Sequence, residues 1–283
     1  MDREQRIAIA QQCHDSDSIP KVSNAGTIVD NDGPRPYQVM HNGVKVYTDS
    51  HYGDFVTKII QLLKGHHEPQ EEKVFYEILK SIPPGSTMLE LGSFWAYYSL
   101  WFASVVPQSR NYMVEPLQEV LQNGIDNFKL NGFTGDFTAA CVGRRTLDGV
   151  PFKHWDDKVY SVRQIGIDEF LAEKKIDHLT ILHSDIQGAE LEMLKGATES
   201  LKQGKISYLF ISTHSEDLHF DCMDLLKQYN YTIVSEHTLA ESFSTDGLIV
   251  AAHKSMHAAP IKVSGRFTWP GFMLRVRRFF GMK

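Results

Sequence analysis

From Thr87 onward the chain alternates short apolar runs with helical periodicity, and this alternation restricts the possible folds more than any other feature. The runs Thr87–Leu91, Asn111–Val114, Phe137–Val142, Leu179–Ser184, Ser207–Ser212, Tyr231–Ser235 and Leu248–Ala252 read as strands. Between most of them lie helical patterns, at Ala96–Val105, Leu117–Leu130, Ala189–Leu201 and Phe220–Tyr229. Strands that are apolar almost throughout must be covered on both faces. The pattern therefore predicts a doubly wound α/β fold with a seven-stranded, mostly parallel sheet. Only the loop Glu236–Gly247 separates the last two runs, so the last strand is predicted to pair antiparallel.

Residues 51–255 are expected to form this domain. Its leading part carries Phe55, Ile59, Ile60, Leu62 and Leu63 at helical spacing, then a second helix from Pro69. Proline suits the first helical position, and Glu68, Glu71 and Glu72 suit the positive end of the helix dipole. Residues 1–50 hold few large apolar side chains before Pro36. They are expected to form a loose arm, with a short helix near Arg3 to Gln12 and the capacity to exchange between subunits of a homo-oligomer. Residues 256–283 form a basic amphipathic tail that interleaves Arg266, Arg275, Arg277, Arg278 and Lys283 with Phe267, Trp269, Phe272, Leu274, Val276, Phe279 and Phe280. Such a tail docks on its own domain or a sister subunit, the commoner outcome, or makes peripheral contact with an anionic membrane.

A net charge of -6 argues against a nucleic-acid partner, since phosphate binding needs a basic face. Cys13, Cys141 and Cys222 are odd in number and widely spaced, which fits neither a disulfide framework nor a zinc site. With no signal-peptide core in the first residues and no apolar run of spanning length, a soluble, cytoplasmic protein is expected.

The most informative local pattern is Met88-Leu89-Glu90-Leu91-Gly92-Ser93, an apolar strand ending in an acid and a glycine before a helix. In an open α/β sheet, ligands sit at the carboxyl ends of the strands, at the topological switch point. Glycine admits a ligand close to the backbone. The second strand ends Val114-Glu115-Pro116, where a carboxylate can accept both hydroxyls of a ribose. Glu90 and Glu115 thus bracket a nucleoside-sized site. A nicotinamide dehydrogenase also wants an acid after its second strand, but it needs G-x-G-x-x-G for a pyrophosphate. This loop reads G-S-F-W-A-Y, and Glu90 would repel a pyrophosphate while attracting a cationic ligand.

The runs LELGSFWAYYSLWFA, VEP, NFKLNG, AACVG and HSDIQGAELEMLKGA resemble the FkbM-type methyltransferases over roughly Thr87 to His253. The most specific part is Asp185 through Ala197. The resemblance implies a class I methyltransferase fold and S-adenosylmethionine as methyl donor. It further implies O-methylation of a small-molecule or glycan acceptor. The cofactor contacts it implies are Glu90, Gly92, Ser93, Phe94 and Tyr97, then Glu115 and Pro116, Cys141 and Val142, and Asp185 and Gln187. One position departs from the pattern: the glycine common before the helix is Ala96, which would be strained if its φ is positive.

A hydroxyl is a poor nucleophile until deprotonated, and a positioned base contributes about 10²–10⁴-fold. Asp185, His214 and His183 are the catalytic candidates, because they sit at or just after the ends of the fourth and fifth strands. Asp185, His214 and His237, from three successive strand ends, also make a ligand set for a divalent cation such as Mg²⁺, Mn²⁺ or Fe²⁺. The segment Gly65-His66-His67-Glu68-Pro69 is expected to cap the pocket. Two other readings stay open: N- or carboxyl-methylation, which needs little base help, and a non-catalytic scaffold in a membrane-associated biosynthetic assembly.

Overall fold

A computed structural model describes residues 2–30, 33, 35–154 and 156–279. In chain order, α1 (Arg3–Ala10) precedes a small antiparallel sheet of β1 (Ile28–Val29), β2 (Tyr37–Val39) and β3 (Lys45–Tyr47). The helices α2 (Asp54–Leu62) and α3 (Pro69–Leu79) lead into the main domain. There β4 (Thr87–Leu91), α4 (Tyr97–Val105), β5 (Arg110–Glu115), α5 (Gln118–Leu130) and β6 (Asp136–Ala139) come first. A side sheet follows, made of β7 (Cys141–Val142), β8 (Leu147–Lys153) and β9 (Val159–Ile165), and then α6 (Ile167–Glu173). The domain closes with β10 (Leu179–Ser184), α7 (Glu190–Gly196), α8 (Thr198–Lys202), β11 (Ile206–Thr213), α9 (Glu216–Gln228), β12 (Tyr231–His237) and β13 (Gly247–His253). The last helix is α10 (Trp269–Phe279).

The main sheet runs β12-β13-β11-β10-β4-β5-β6. All its pairings are parallel except those of β13, which lies antiparallel between β11 and β12, as the absence of a connecting helix predicted. Strands β4, β10 and β11 are buried at every position, which explains their lack of polar alternation. The chain order reverses between β4 and β10, so the switch point lies at Leu91–Gly92 and Ser184–Asp185. Gly92 has φ 68, and a Cβ there would stand 1.8 Å from the Asp185 carbonyl oxygen. Only glycine lets the two strand ends come so close.

The first fifty residues are not a loose arm. Met40, Val44 and Val46 are buried in the core that also holds Val74, Phe75 and Trp101. Polar side chains of α5 tie this segment to the sheet domain. Asn127 Oδ1 accepts from the Tyr47 amide (2.9 Å), and Asn131 exchanges two hydrogen bonds with the Lys45 backbone (2.8 and 2.7 Å). The apolar content was low, but it is concentrated in these few positions and the backbone is paired by another element's asparagines. Residue 50 therefore marks no break in the packing.

The tail is held as well. Arg275 forks between Glu236 (2.8 and 3.0 Å) and Glu241, and Arg266 N donates to Glu241 O (2.8 Å). This agrees with docking on its own domain. Phe280 and Lys283 lie outside the described residues, as do the side chains of Phe272, Arg277, Arg278 and Phe279. Among the described residues no helix is long and apolar enough to cross a membrane.

Candidate active site

A cleft of about 1210 Å³ opens over the carboxyl ends of β4, β5 and β10. Single small-molecule pockets occupy roughly 300–1,000 Å³, so this one has room for two ligands side by side. All the residues expected to touch a cofactor line it: Glu90, Gly92, Ser93, Phe94 and Tyr97 from the first loop, Glu115 and Pro116 from the second, Cys141 and Val142, and Asp185 and Gln187.

Glu90 is almost wholly buried, and its Oε2 accepts from the Ser99 amide in the first turn of α4 (3.0 Å). Burial pushes its carboxyl up, while the nearby His183 and the α4 amides act the other way. Glu115 ends β5 and accepts from the Phe94 amide (3.3 Å). Burial lifts it to about 7 against the amides of Phe94 and Leu117. Both acids thus stand poorly hydrated in the cleft, where a ligand cation or hydroxyl would replace the missing water. Between them the loop is bent by Phe94 (φ 44) and Ala96 (φ 59, ψ 37), both left-handed. The departure at Ala96 is therefore a real strain, worth about 1–2 kcal/mol, held by a residue that is completely buried.

At the rim, Asp185 does not cap the following helix. Glu190, the first residue of α7, instead ties down the loop before it, its Oε1 accepting from the Ile186 (3.3 Å) and Gly188 (3.1 Å) amides. Asp185 is left facing His214, whose Nε2 lies 3.2 Å from Asp185 Oδ1 and 3.5 Å from Asp246 Oδ1, with Nδ1 2.9 Å from Glu190 Oε1. Burial alone would lower the His214 pKa, but hydrogen bonds to Asp185 and Glu190 and the charge of Asp246 raise it to about 10. These carboxylates favour the cationic form of His214 at neutral pH. Asp246 is the reverse case. Burial and the Asp185 charge push its carboxyl up to about 7, with His214 offsetting part of the shift.

His237 does not join this group. Its ring is buried, Nδ1 lies 3.3 Å from the Thr238 carbonyl, and burial lowers it to about 4. The rim cluster is Asp185, His214 and Asp246, whose ligand atoms all lie within 4.8 Å of one another. The third member thus comes from the loop after β12 as Asp246 and not as His237. His183 lines the cleft, with Nε2 2.8 Å from Glu71 Oε1 on α3. Glu71 was read only as a helix-dipole acid.

His67 and Glu68 line the cleft, and Tyr98 donates to Glu68 (3.1 Å). Behind them Glu72 is completely buried. It pairs with His66 and His67 Nδ1 (2.9 Å) and accepts from the backbone amides of His67 (2.8 Å) and Glu68 (3.0 Å). Sequence reading missed two further walls. One is the β8–β9 hairpin, which contributes Val150, Pro151 and Phe152; only Val150 and Phe152 of β8 are half-buried, and Gly149 and Pro151 disfavour a strand reading. The other is Tyr52, Phe55 and Ile59 on and before α2.

A reversal of strand order at β4/β10, an antiparallel β13 and an acid-lined cleft at that switch point define a class I, Rossmann-like methyltransferase fold. Residues 83–233, more than half of the chain, match the Methyltransferase FkbM domain. The chain belongs to that family. Among solved structures it is similar to the methyltransferase FkbM from Methylobacillus flagellatus KT, with 17% identity and a TM-score of 0.50. That match covers 72% of this chain and 56% of the other, so the chain spans just over half of that relative's length. Weaker likenesses include M. capricolum TrmK bound to S-adenosylhomocysteine (15% identity, TM-score 0.42, covering 69% and 71%). Another is a precorrin-6y C5,15-methyltransferase from Geobacter metallireducens (12% identity, TM-score 0.43, covering 64% and 87%). No curated protein matches the sequence.

Proposed function

We propose that the protein is an S-adenosylmethionine-dependent methyltransferase acting on a hydroxyl of a small-molecule or glycan acceptor. The observation that carries this reading is the rim cluster Asp185–His214–Asp246 beside a cleft that has room for both cofactor and acceptor. The residues present fit the cofactor. Gly92 and Glu115 line the cleft, the carboxylate of Glu115 is of the kind that accepts from ribose hydroxyls, and Glu90, Asp185 and Asp246 favour a cation over an anionic pyrophosphate. When bound, S-adenosylmethionine supplies an electrophilic methyl group on a cationic sulfur leaving group.

The chain's own residues then have to position the acceptor and take its proton. Asp246, poised at about 7, is suited to accept that proton at neutral pH. Asp185 pairs with His214, and cationic His214 holds both carboxylates in place. Turnover should rise as pH climbs through about 7 and level off above it. A divalent cation at the same three side chains is a second reading, favoured by the convergence of their ligand atoms. It would displace the proton from His214 and acidify the hydroxyl directly. Unpaired Cys13, Cys141 and Cys222 support a reducing, cytoplasmic location.

The test is transfer of labelled methyl from S-adenosylmethionine across a panel of hydroxylated, amine and carboxylate acceptors, with and without EDTA. Transfer to hydroxyls that Asp246→Asn abolishes supports the reading. Transfer confined to amines or carboxylates, unaffected by the substitution, contradicts it. Loss with EDTA and recovery with added Mg²⁺ or Mn²⁺ selects the cation reading.

A further inference from the structure

The loop between β4 and α4 holds an unfavourable shape. Phe94 (φ 44) and Ala96 (φ 59) are both left-handed, a region that residues other than glycine seldom enter. Trp95 lies between them, and its carbonyl oxygen is the point at which the loop is gripped. A regular helix would turn the Ser99 amide back to that carbonyl, but Ser99 donates to Glu90 instead (3.0 Å). Asn127 on α5 supplies the donor, with Nδ2 3.0 Å from the Trp95 oxygen.

Asn127 is completely buried, and its amide is engaged at both ends. Nδ2 also donates to Ser50 Oγ (3.0 Å), and Oδ1 accepts from the Tyr47 amide (2.9 Å). These bonds use both of its hydrogens and fix the amide in one orientation. One turn earlier, on the same face of α5, stands Gly124. A Cβ there would lie 3.0 Å from the Ala96 Cβ and 3.4 Å from the Phe94 carbonyl oxygen. Carbon atoms prefer roughly 3.5–4.0 Å, so the missing side chain of Gly124 is what makes room for Ala96.

The shape of the loop matters because both acids of the cleft are tied to it. From its middle the Phe94 amide donates to Glu115 (3.3 Å), and α4, which starts at its end, presents the Ser99 amide to Glu90. A loop that relaxed at Ala96 would start α4 in another direction and withdraw these donors.

We propose that α5 holds this loop in the shape that binds the cofactor, with Asn127 as the positioning residue and Gly124 providing the space. The inference rests on the S-adenosylmethionine reading above. Neither Asn127 nor Gly124 lines the cleft, so their effect on binding is transmitted through the loop.

Calorimetric titration of the full chain with S-adenosylhomocysteine tests this, with Ala96→Gly as the rescuing change. Asn127→Ala lets the loop relax, and apparent affinity falls with the fraction of protein still competent to bind, by about five- to thirtyfold for the strain of one alanine. Gly124→Ala should weaken binding in the same direction, because its Cβ presses on Ala96. Glycine enters the left-handed region without strain and carries no Cβ. Adding Ala96→Gly should therefore restore most of the affinity to either variant. Ala96→Gly alone should bind within about twofold of wild type, since the loop is already held. A merely structural role for α5 would give no such rescue.

Unchanged affinity in Asn127→Ala, or double variants that bind no better than the single ones, would overturn the proposal. If Asn127→Ala does not fold, Gly124→Ala and its rescue decide the matter, because alanine suits a helix interior. Folded wild-type protein that does not bind S-adenosylhomocysteine would overturn the cofactor reading itself.

Discussion

Replacing Asp246 by asparagine should remove most turnover while leaving the protein at least as stable at alkaline pH. Burial and the Asp185 charge push the Asp246 carboxyl from 3.8 to about 7, and His214 offsets only part of this. A carboxyl whose pKa is higher in the folded state binds its proton more tightly there. Its ionisation therefore costs stability, increasingly as pH rises from about 4 to about 7 and in full above that. At about 1.4 kcal/mol per unit the ceiling is roughly 4 kcal/mol. A fifth of the side chain is exposed, so solvent screening reduces this to roughly 2 kcal/mol. Asparagine avoids that cost, and the attraction of His214 is already contained in the net shift. The gain at pH 8 is about 2 kcal/mol, or roughly 4–8 °C in Tm for a chain of this size. Near pH 4 the gain should vanish. Turnover should meanwhile drop by about 10²–10⁴-fold. Scanning calorimetry of both proteins at pH 5 and pH 8, paired with methyl-transfer rates, reads both effects. A variant that melts several degrees below wild type at pH 8, or that keeps full turnover, would refute the reasoning.

Other substitutions probe other parts of the account. Gly92→Ala puts a Cβ 1.8 Å from the Asp185 carbonyl in a left-handed conformation. Left-handed strain and overpacking together predict about 2–5 kcal/mol of destabilisation, read as a drop in denaturant midpoint, and an unchanged midpoint would mean the strand ends are not packed as described. Glu72→Ala strips the partner from His66 and His67 and from two backbone amides. Losing one side of such a buried network should cost about 3–5 kcal/mol, and a loss under 1 kcal/mol in urea unfolding would contradict it. Glu115, raised to about 7, must be ionised to accept fully from a ribose. Adenosine affinity should therefore rise up to about tenfold between pH 6 and pH 8, and flat calorimetric affinities would argue against that contact.

The sheet was legible because its strands are buried on both faces and its helices are amphipathic, so each wrote its period into the sequence. The ends of β4, β5 and β10 then placed Glu90, Glu115 and Asp185 by topology alone. What remained hidden depended on tertiary partners. The β8–β9 hairpin buries little, and Gly149 and Pro151 interrupt its strand pattern. Met40, Val44 and Val46 looked like isolated apolar residues in a polar segment until α5 supplied Asn127 and Asn131. The surroundings of His214 were not legible, since Asp185, Glu190 and Asp246 meet on it only in the fold. His237 turned into the interior and Asp246 outward to the rim, a choice set by the loop path after β12. Glu71 and His183 are 112 residues apart in sequence, and nothing local pairs them.

The central claim is that the cleft binds S-adenosylmethionine between Glu90 and Glu115. Calorimetric titration with S-adenosylhomocysteine, for wild type and Glu115→Ala, tests it most directly. The account predicts measurable binding by the wild type and about ten- to a hundredfold weaker binding by the variant, the worth of charged hydrogen bonds to a ribose. Folded wild-type protein that does not bind, or a variant that binds equally well, would contradict it.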